Sequence, residues 1–402
     1  MDELSPLRRK IVWGCSRNLF ANFYLRYKYR FSLSPSSDPW PSAPPYLIVA
    51  NHGTFFDPWI VGGYSRFPVG LMTNDDAFRE GKITPWYLKN VGAFPKKKGA
   101  SDYRAIKKTL ELLQNGIPVC IFPEGQTTWD GETQLLYPGL EKLLKRAGCP
   151  LVAVRLQGNF LTKPWWATSM RSGRILVTVK IYSPEEIANL SNEELFNTIK
   201  ASIYQNDIKD PENLAVPFSG KNLAHGLERL VWICLGCGAE DTLVTNGDYV
   251  TCSECGHTVK LDAHCRITVT KGESSCGCTD LKDWVDLHKQ RVKEKIAAGG
   301  ETLTRSDGVT LQLENSVNEF TDSDFGTLVL TPSGMDFRGN GSPLHWNITD
   351  IHDWVIQKKD IFEFRHDKQH FRFLFTKKSP MKWICYIRYL AGFEACEKQG
   401  HL

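Results

Sequence analysis

No stretch of this 402-residue chain holds the roughly 18 consecutive apolar residues that a membrane-spanning helix needs. No transmembrane span is therefore expected. The apolar run after the basic start, Ile11 to Cys15, is too short for the core of a secretory signal peptide. Twelve cysteines in a chain of this length do not suggest a secreted disulfide scaffold. These absences point to the cytoplasm, with any membrane contact peripheral and on the inner face. No internal repeat is present. The net charge is only +4, but its distribution is uneven.

Residues 1–30 carry Arg8, Arg9, Lys10, Arg17, Arg26, Lys28 and Arg30 against Asp2 and Glu3. Residues 82–108 carry eight lysines and arginines against Asp102 alone. Two basic zones in a near-neutral protein point to anionic partners met at particular places; the alternative is cations solvated on helix faces. The first zone reads as a helix over 7–30, with Val12, Leu19, Phe20, Phe23, Tyr24 and Tyr27 on an apolar stripe flanked by basic residues. A basic, aromatic-rich amphipathic helix suits an anionic lipid surface. It equally suits packing on its own domain.

The hydrophobic fraction of 42% is enough for a sizeable core, and the length suggests two or three domains. After the Pro/Ser connector at 34–45, apolar strand candidates (46–50, 117–122, 151–157 and 174–182) alternate with helix candidates (101–115, 139–147, and one opened by the capping box Ser191–Glu194). That alternation predicts an α/β layer with a mostly parallel sheet and flanking helices, ending near residue 220. Beyond residue 300, short alternating runs such as 327–330, 361–364 and 371–375 are separated by turn residues, and an amphipathic stretch runs from Pro380 to Phe393. This predicts a small antiparallel β domain. Seven or so strands closed by one helix resemble a PH- or GRAM-like barrel. The expected domains are 1–220, 228–265, a helical linker at 266–300, and 301–396.

Chemistry concentrates at two strand ends. Asn51-His52-Gly53-Thr54-Phe55-Phe56-Asp57 follows the run 46–50, and Phe122-Pro123-Glu124-Gly125 follows the run 117–122. Five residues along a straight helix would send the His and Asp side chains apart, but across a strand-to-helix turn they meet. An imidazole held by a carboxylate is a general base. In a parallel α/β sheet catalytic groups gather at the carboxyl ends of strands, so His52, Asp57, Glu124 and Gly125 are expected to converge. Between them lies Gly92-Ala93-Phe94-Pro95-Lys96-Lys97-Lys98, a loop dense in positive charge.

N-H-x-x-x-x-D and F-P-E-G about seventy residues apart, together with the Gly92–Lys98 block and Pro150-Leu151-Val152-Ala153-Val154, resemble the glycerophospholipid (lysophosphatidate-type) acyltransferases. The resemblance covers roughly residues 10–205. It implies transfer of a fatty acyl group from acyl-CoA or acyl carrier protein to the hydroxyl of a lysophospholipid such as 1-acylglycerol-3-phosphate, in phospholipid biosynthesis. His52 would be the base and Asp57 the group that fixes its tautomer. Glu124 and Gly125 complete the implied catalytic set, with the Gly125 N–H a donor to the oxyanion. Asn51, Lys96, Lys97, Lys98, Phe122, Pro123 and Thr127 would contact substrate. No G-x-S-x-G elbow occurs, so direct attack by the acceptor hydroxyl is expected without an acyl-enzyme. Cys120 reads as a buried apolar residue. Two departures stand out: Thr127 occupies the place where the family's F-P-E-G-T-R has its phosphate-binding Arg, and Lys98 occupies the place of another Arg. Lysine binds phosphate as a point charge rather than a fork. The contrasting reading is a catalytically degenerate protein that binds or scaffolds at lipid surfaces.

Cys234-x2-Cys237 and Cys252-x2-Cys255 have the spacing of a structural zinc ribbon. Cys265, Cys276 and Cys278 with His257 and His264 offer a second, irregular set. The ribbon is acidic rather than basic, Lys260 standing against Glu240, Asp241, Asp248 and Glu254, which excludes a nucleic-acid partner. The partners expected are an anionic membrane surface, the lysophospholipid and an acyl carrier protein.

Overall fold

The computed structural model describes residues 6–79, 81–96, 103–273, 276–315, 319–376 and 378–392. These fall into two compact units, one made of residues up to 165 and 170–219, the other of 166–169 and the residues from 220 onward.

The first unit opens with a continuous helical segment: α1 (Pro6–Cys15), a π-helical stretch (Ser16–Leu25) and α2 (Arg26–Tyr29). Its buried residues are Trp13, Ala21, Leu25 and Tyr29, whereas Leu19, Phe23 and Tyr27 are 65%, 75% and 86% exposed. The expected stripe is therefore only partly the buried one. The i→i+5 bonding of a π-helix places more than 3.6 residues in each turn; the inward positions are Ala21 and Leu25 in the π-helical stretch and Tyr29 in α2. The outward face keeps the larger apolar groups.

The rest of the unit runs β1 (Ser32–Leu33), β2 (Leu47–Ala50), α3 (Asp57–Gly62), β3 (Gly70–Asn74), α4 (Ile83–Val91), β4 (Ala93–Lys96), α5 (Tyr103–Gln114), β5 (Val119–Ile121), α6 (Leu140–Ala147), β6 (Leu151–Gln157), α7 (Asn159–Thr162), β7 (Leu176–Tyr182), α8 (Pro184–Asn189), α9 (Asn192–Ile203) and α10 (Pro211–Leu214). The sheet order is β1-β7-β6-β2-β5-β3-β4. Every pairing is parallel except β6 with β7. β2 lies in the middle, and all four of its residues are buried. Alternate side chains of a strand point to opposite faces. Leu47 and Val49 join the core formed with α5, α6 and α9, and Ile48 and Ala50 join the core formed with Trp13, Leu25, Tyr29 and Ile60. A strand covered on both faces reads as the unbroken apolar run seen in the sequence. The mostly parallel α/β sheet is as expected, and the Ser191 capping box forms at the head of α9.

The second unit begins with a four-stranded antiparallel sheet in order β11-β10-β9-β8, made of β8 (Leu243–Asn246), β9 (Tyr249–Cys252), β10 (Thr258–Leu261) and β11 (Ile267–Lys271). β11 falls in the stretch expected to be a helical linker, whose helical part is α11 (Leu281–Ala298). Next come β12 (Thr304–Glu314), β13 (Phe320–Leu330), β14 (Gly334–Arg338), β15 (Leu344–Asn347), β16 (Ile351–Gln357), β17 (Ile361–His366) and β18 (Gln369–Phe375), closed by α12 (Met381–Leu390). The seven strands pair antiparallel in order β15-β14-β13-β12-β18-β17-β16. β12 carries a bulge at Gly308, which sits at φ +72°. A residue without a Cβ accepts that positive φ at the bulge, beyond which Val309–Leu313 pair with β18 as well as β13. Residues 381–388 of α12 are all buried.

Candidate active site

β2 ends at Ala50, and the chain turns through residues 51–56 into α3, whose first residue is Asp57. That turn brings the two ends of the motif together: His52 Nδ1 lies 2.9 Å from Asp57 Oδ2. A carboxylate only accepts hydrogen bonds, so Nδ1 carries the proton and Nε2 is left with its lone pair. The His52 side chain is 17% exposed and that of Asp57 fully buried. Asp57 Oδ2 also accepts the Thr54 N–H at 2.9 Å. The ring is flanked by Phe122, with centroids 4.3 Å apart and planes 27° from parallel.

Glu124 stands at the carboxyl end of β5, fully buried. Its Oε1 accepts the His52 N–H at 2.6 Å and its Oε2 the Gln134 N–H at 2.8 Å. The His52 carbonyl in turn accepts the Thr128 N–H at 2.7 Å. The peptide groups around His52 are thus gripped on both sides by the loop that follows β5. Gly125 is at φ +67°, and a Cβ there would stand 2.6 Å from the Tyr137 ring. Tyr137 is overlain by the Lys96 ammonium, 4.5 Å from its centroid, so the second and third motif blocks meet across one aromatic ring. Lys97 and Lys98 lie outside the described residues.

Three expectations change at this level. The Gly125 N–H is not turned outward as an oxyanion donor; it donates to Phe122 O at 2.9 Å and closes the turn. Asn51 does not face a substrate. Its amide gives a hydrogen bond to Leu156 O at 2.9 Å and takes one from Leu156 N at 2.7 Å, because a buried amide must satisfy both of its polar ends. Pro123 is buried, and its carbonyl accepts the Tyr137 N–H. Phe122 and Thr127 are half-buried. Cys120 is buried beneath the site, and burial together with the nearby Asp57 pushes its thiol far above the ordinary range, which disqualifies it as a nucleophile.

The next layer carries no local sequence signature. Asn159 Nδ2 donates to the second oxygen of Asp57, Oδ1, at 3.0 Å. Asp207 accepts the N–H groups of Gly158 at 2.7 Å and Phe160 at 2.9 Å. Burial pushes the Asp207 carboxyl up to about 7, against the opposing pull of those donors. Only a contact map could have linked these residues to the motif, since they lie about a hundred and a hundred and fifty positions away in the chain.

In the second unit the sulfurs of Cys234, Cys237, Cys252 and Cys255 all lie within 4.8 Å of one another. Cys234 Sγ and Cys255 Sγ are 3.7 Å apart, and Cys237 Sγ and Cys252 Sγ 3.8 Å. A tetrahedron with metal–sulfur bonds of about 2.3 Å has edges of about 3.8 Å, so the four thiols fit a metal ion. Two alternate on buried positions and two on exposed ones. Among the described residues no second such group gathers around Cys265, Cys276 and Cys278.

Residues 35–157 match the acyltransferase family model. The chain is 25% identical over 179 residues to the 1-acyl-sn-glycerol-3-phosphate acyltransferase BAT2, chloroplastic, of Brassica napus, a match covering 42% of this chain and 48% of the relative. It is 26% identical over 161 residues to the 1-acyl-sn-glycerol-3-phosphate acyltransferase LPAT1, chloroplastic, of Arabidopsis thaliana, covering 38% and 43%. The chain thus spans about half the length of the curated relatives it matches. Among solved structures it is similar to the 1-acyl-sn-glycerophosphate acyltransferase PlsC of Thermotoga maritima, with a TM-score of 0.40 and 18% identity over 50% of this chain and 81% of that one. The family-model match contains three of the four motif blocks whole, from Asn51 to Gly125, and also the fourth, Pro150 to Val154.

Proposed function

We propose that this chain, whose residues 35–157 form an acyltransferase-family domain, moves a fatty acyl group from a thioester to the free hydroxyl of a lysophospholipid, most simply 1-acylglycerol-3-phosphate. The observation that carries the reading is the 2.9 Å contact between His52 Nδ1 and Asp57 Oδ2. It leaves Nε2 free to take the proton of an attacking hydroxyl as the new ester bond forms and the thiolate leaves. Asp57 holds the tautomer and offsets the charge on the imidazolium, and general-base help of this kind contributes about 10²–10⁴-fold. Glu124 acts through the backbone of His52, so we assign it to positioning rather than to proton transfer. Lys96, together with Lys97 and Lys98 in sequence, supplies the positive charge for an anionic headgroup that Thr127 does not.

The acyl donor is acyl-CoA or acyl carrier protein, and the acceptor is met at a membrane surface. The exposed apolar residues Leu7, Ile11, Leu19, Phe23 and Tyr27, interleaved with arginines and lysines, support a peripheral mode of contact. No helix among the described residues is long and apolar enough to cross a membrane. In the second unit, Cys234, Cys237, Cys252 and Cys255 would hold a structural zinc ion, which when bound stiffens the two loops that carry it.

The test is thioester consumption by the purified protein offered acyl-CoA and acyl carrier protein with a panel of lysolipids, the products identified by mass spectrometry. We expect acyl transfer to a lysophospholipid and its loss by at least about 10³-fold in His52→Ala. Binding to lipid without turnover by the wild type would instead favour a scaffold built on a silent catalytic domain.

A further inference from the structure

The carboxylate of Asp57 is held on both of its oxygens, and the second hold has no part in the mechanism above. Oδ2 faces His52 Nδ1 and the Thr54 N–H, and Oδ1 takes the amide of Asn159 at 3.0 Å. The torsion that turns an Asp carboxylate has broad, shallow minima. Partners on one oxygen alone leave the other free to swing about it, whereas donors on both oxygens fix the plane. We propose that Asn159 is a positioning residue for the His52–Asp57 pair, locked from one side by Gly53 and from the other by the carboxylate of Asp207.

The lock is visible in the contacts around Asn159. A Cβ built on Gly53 would stand 2.6 Å from both Asn159 Nδ2 and Asn159 Oδ1, so the amide lies flat against the backbone between His52 and Thr54. That approach requires glycine at position 53 for lack of a side chain rather than for an unusual backbone angle. On the other side, Asp207 accepts the N–H of the residue before Asn159 and of the residue after it, at 2.7 and 2.9 Å. Asn213 Nδ2 steadies Asp207 Oδ1 at 3.1 Å. Asn159, Asp207 and Asn213 are each no more than 2% exposed. A buried, connected polar network of this kind favours one geometry. It runs from Asp207 through the 158–160 turn to Asn159, then to Asp57 and the ring of His52.

The proposal deepens the acyl-transfer reading and rests on it only for its kinetic part. The experiment uses the full chain with Asn159→Leu, which keeps the volume and removes the donor, and Gly53→Ala, which pushes the amide away while leaving Asn159 in place. Two quantities are read. The first is the ¹⁵N spectrum of the His52 ring near neutral pH, where the wild type should hold the Nδ1–H tautomer. Both variants should show a mixture of tautomers. The second is turnover with acyl-CoA and lysophosphatidate. We expect kcat to fall about 10–100-fold, the range expected for one lost hydrogen bond to a charged group, with KM changed less than about threefold. Melting temperature is followed alongside, since a packing role alone would lower it without moving the tautomer. A His52 spectrum unchanged in Asn159→Leu overturns the proposal whatever happens to the rate. So does a kcat within about twofold of wild type in a variant whose tautomer has moved. Should the wild type transfer no acyl group, the acyl-transfer reading fails by itself, and the ring spectrum still decides the role of Asn159.

Discussion

In the proposed mechanism the deciding residue is His52, whose side chain is 17% exposed and whose Nδ1, rather than Nε2, faces the buried carboxylate of Asp57. Asp57→Asn tests that asymmetry without changing shape. The amide would place its NH₂ either at the Oδ2 position, against Nδ1 and the Thr54 N–H, or at the Oδ1 position, against the Asn159 amide; in the first orientation it forces the ring proton onto Nε2, where the acceptor hydroxyl needs a lone pair. We expect kcat to drop by about 10⁴-fold with lipid binding retained, measured as thioester turnover beside vesicle co-sedimentation. Activity within tenfold of wild type would remove Asp57 from the mechanism. This pair was legible in the sequence because both partners sit within one strand-to-helix turn, where spacing alone limits geometry. Asn159 was not, because a hydrogen bond between residues 57 and 159 leaves no local pattern. Gly125 and Asn51 were legible as members of the site but not in their bonding. A motif names side chains and peptide groups without saying which of them the turn itself consumes.

Among the elements, β2, β5 and β6 announced themselves as apolar runs because they are covered on both faces, and β7 read as a strand although its Lys180 is exposed. β3, reading Gly-Leu-Met-Thr-Asn with only Gly70 fully buried, and β4, with Pro95 in it, carry no such signature. They belong to the sheet because β5 offers an unpaired edge that they complete. The N-terminal helical segment departs further from its pattern. Across the π-helical stretch and α2, Ala21, Leu25 and Tyr29 are buried while Leu19, Phe23 and Tyr27 lie outward, an exposure that large apolar side chains avoid on a helix whose surroundings are all water. Arg17, Arg26 and Lys28 lie along the same segment. If lipid covers that face, replacing Leu19, Phe23 and Tyr27 by alanine weakens binding to anionic vesicles by at least about tenfold. The inward face, and with it the melting temperature, should be little affected. Raising the salt should weaken the wild type as well, since the flanking cations are screened. Vesicle binding by the triple variant at wild-type strength would assign the exposed face to something other than lipid.

At the scale of the molecule, four thiols on two knuckles make a closed, all-sulfur set of the structural kind, so loss of a bound metal should act on stability rather than on chemistry. The path of that destabilisation can be traced. The loop leaving Cys237 reaches Glu240 and Asp241. Glu240 accepts hydrogen bonds from Lys295 of α11 and Thr304 of β12, both at 2.9 Å, and from Tyr386 of α12 at 3.3 Å. Asp241 pairs with Lys382, whose side chain is fully buried in α12 and also donates to Arg305 O at 2.7 Å. Within this unit the cysteine loops therefore fasten the helix that closes the seven-stranded sheet. Without metal the loop loosens, and Lys382 is left as a buried cation short of its counter-charge, a loss of about 3–5 kcal/mol when such a pair is broken. We expect about one zinc per chain by elemental analysis, as four sulfurs at these separations imply. Cys252→Ser or a strong chelator should remove it and lower the melting temperature of the C-terminal unit by several degrees or more. Turnover at a temperature where both proteins remain folded should stay within about threefold of wild type. An unchanged melting curve after the metal has gone would mean the sulfurs do not hold the unit together. Turnover lost from a protein that still melts normally would mean that the ion takes part in the reaction.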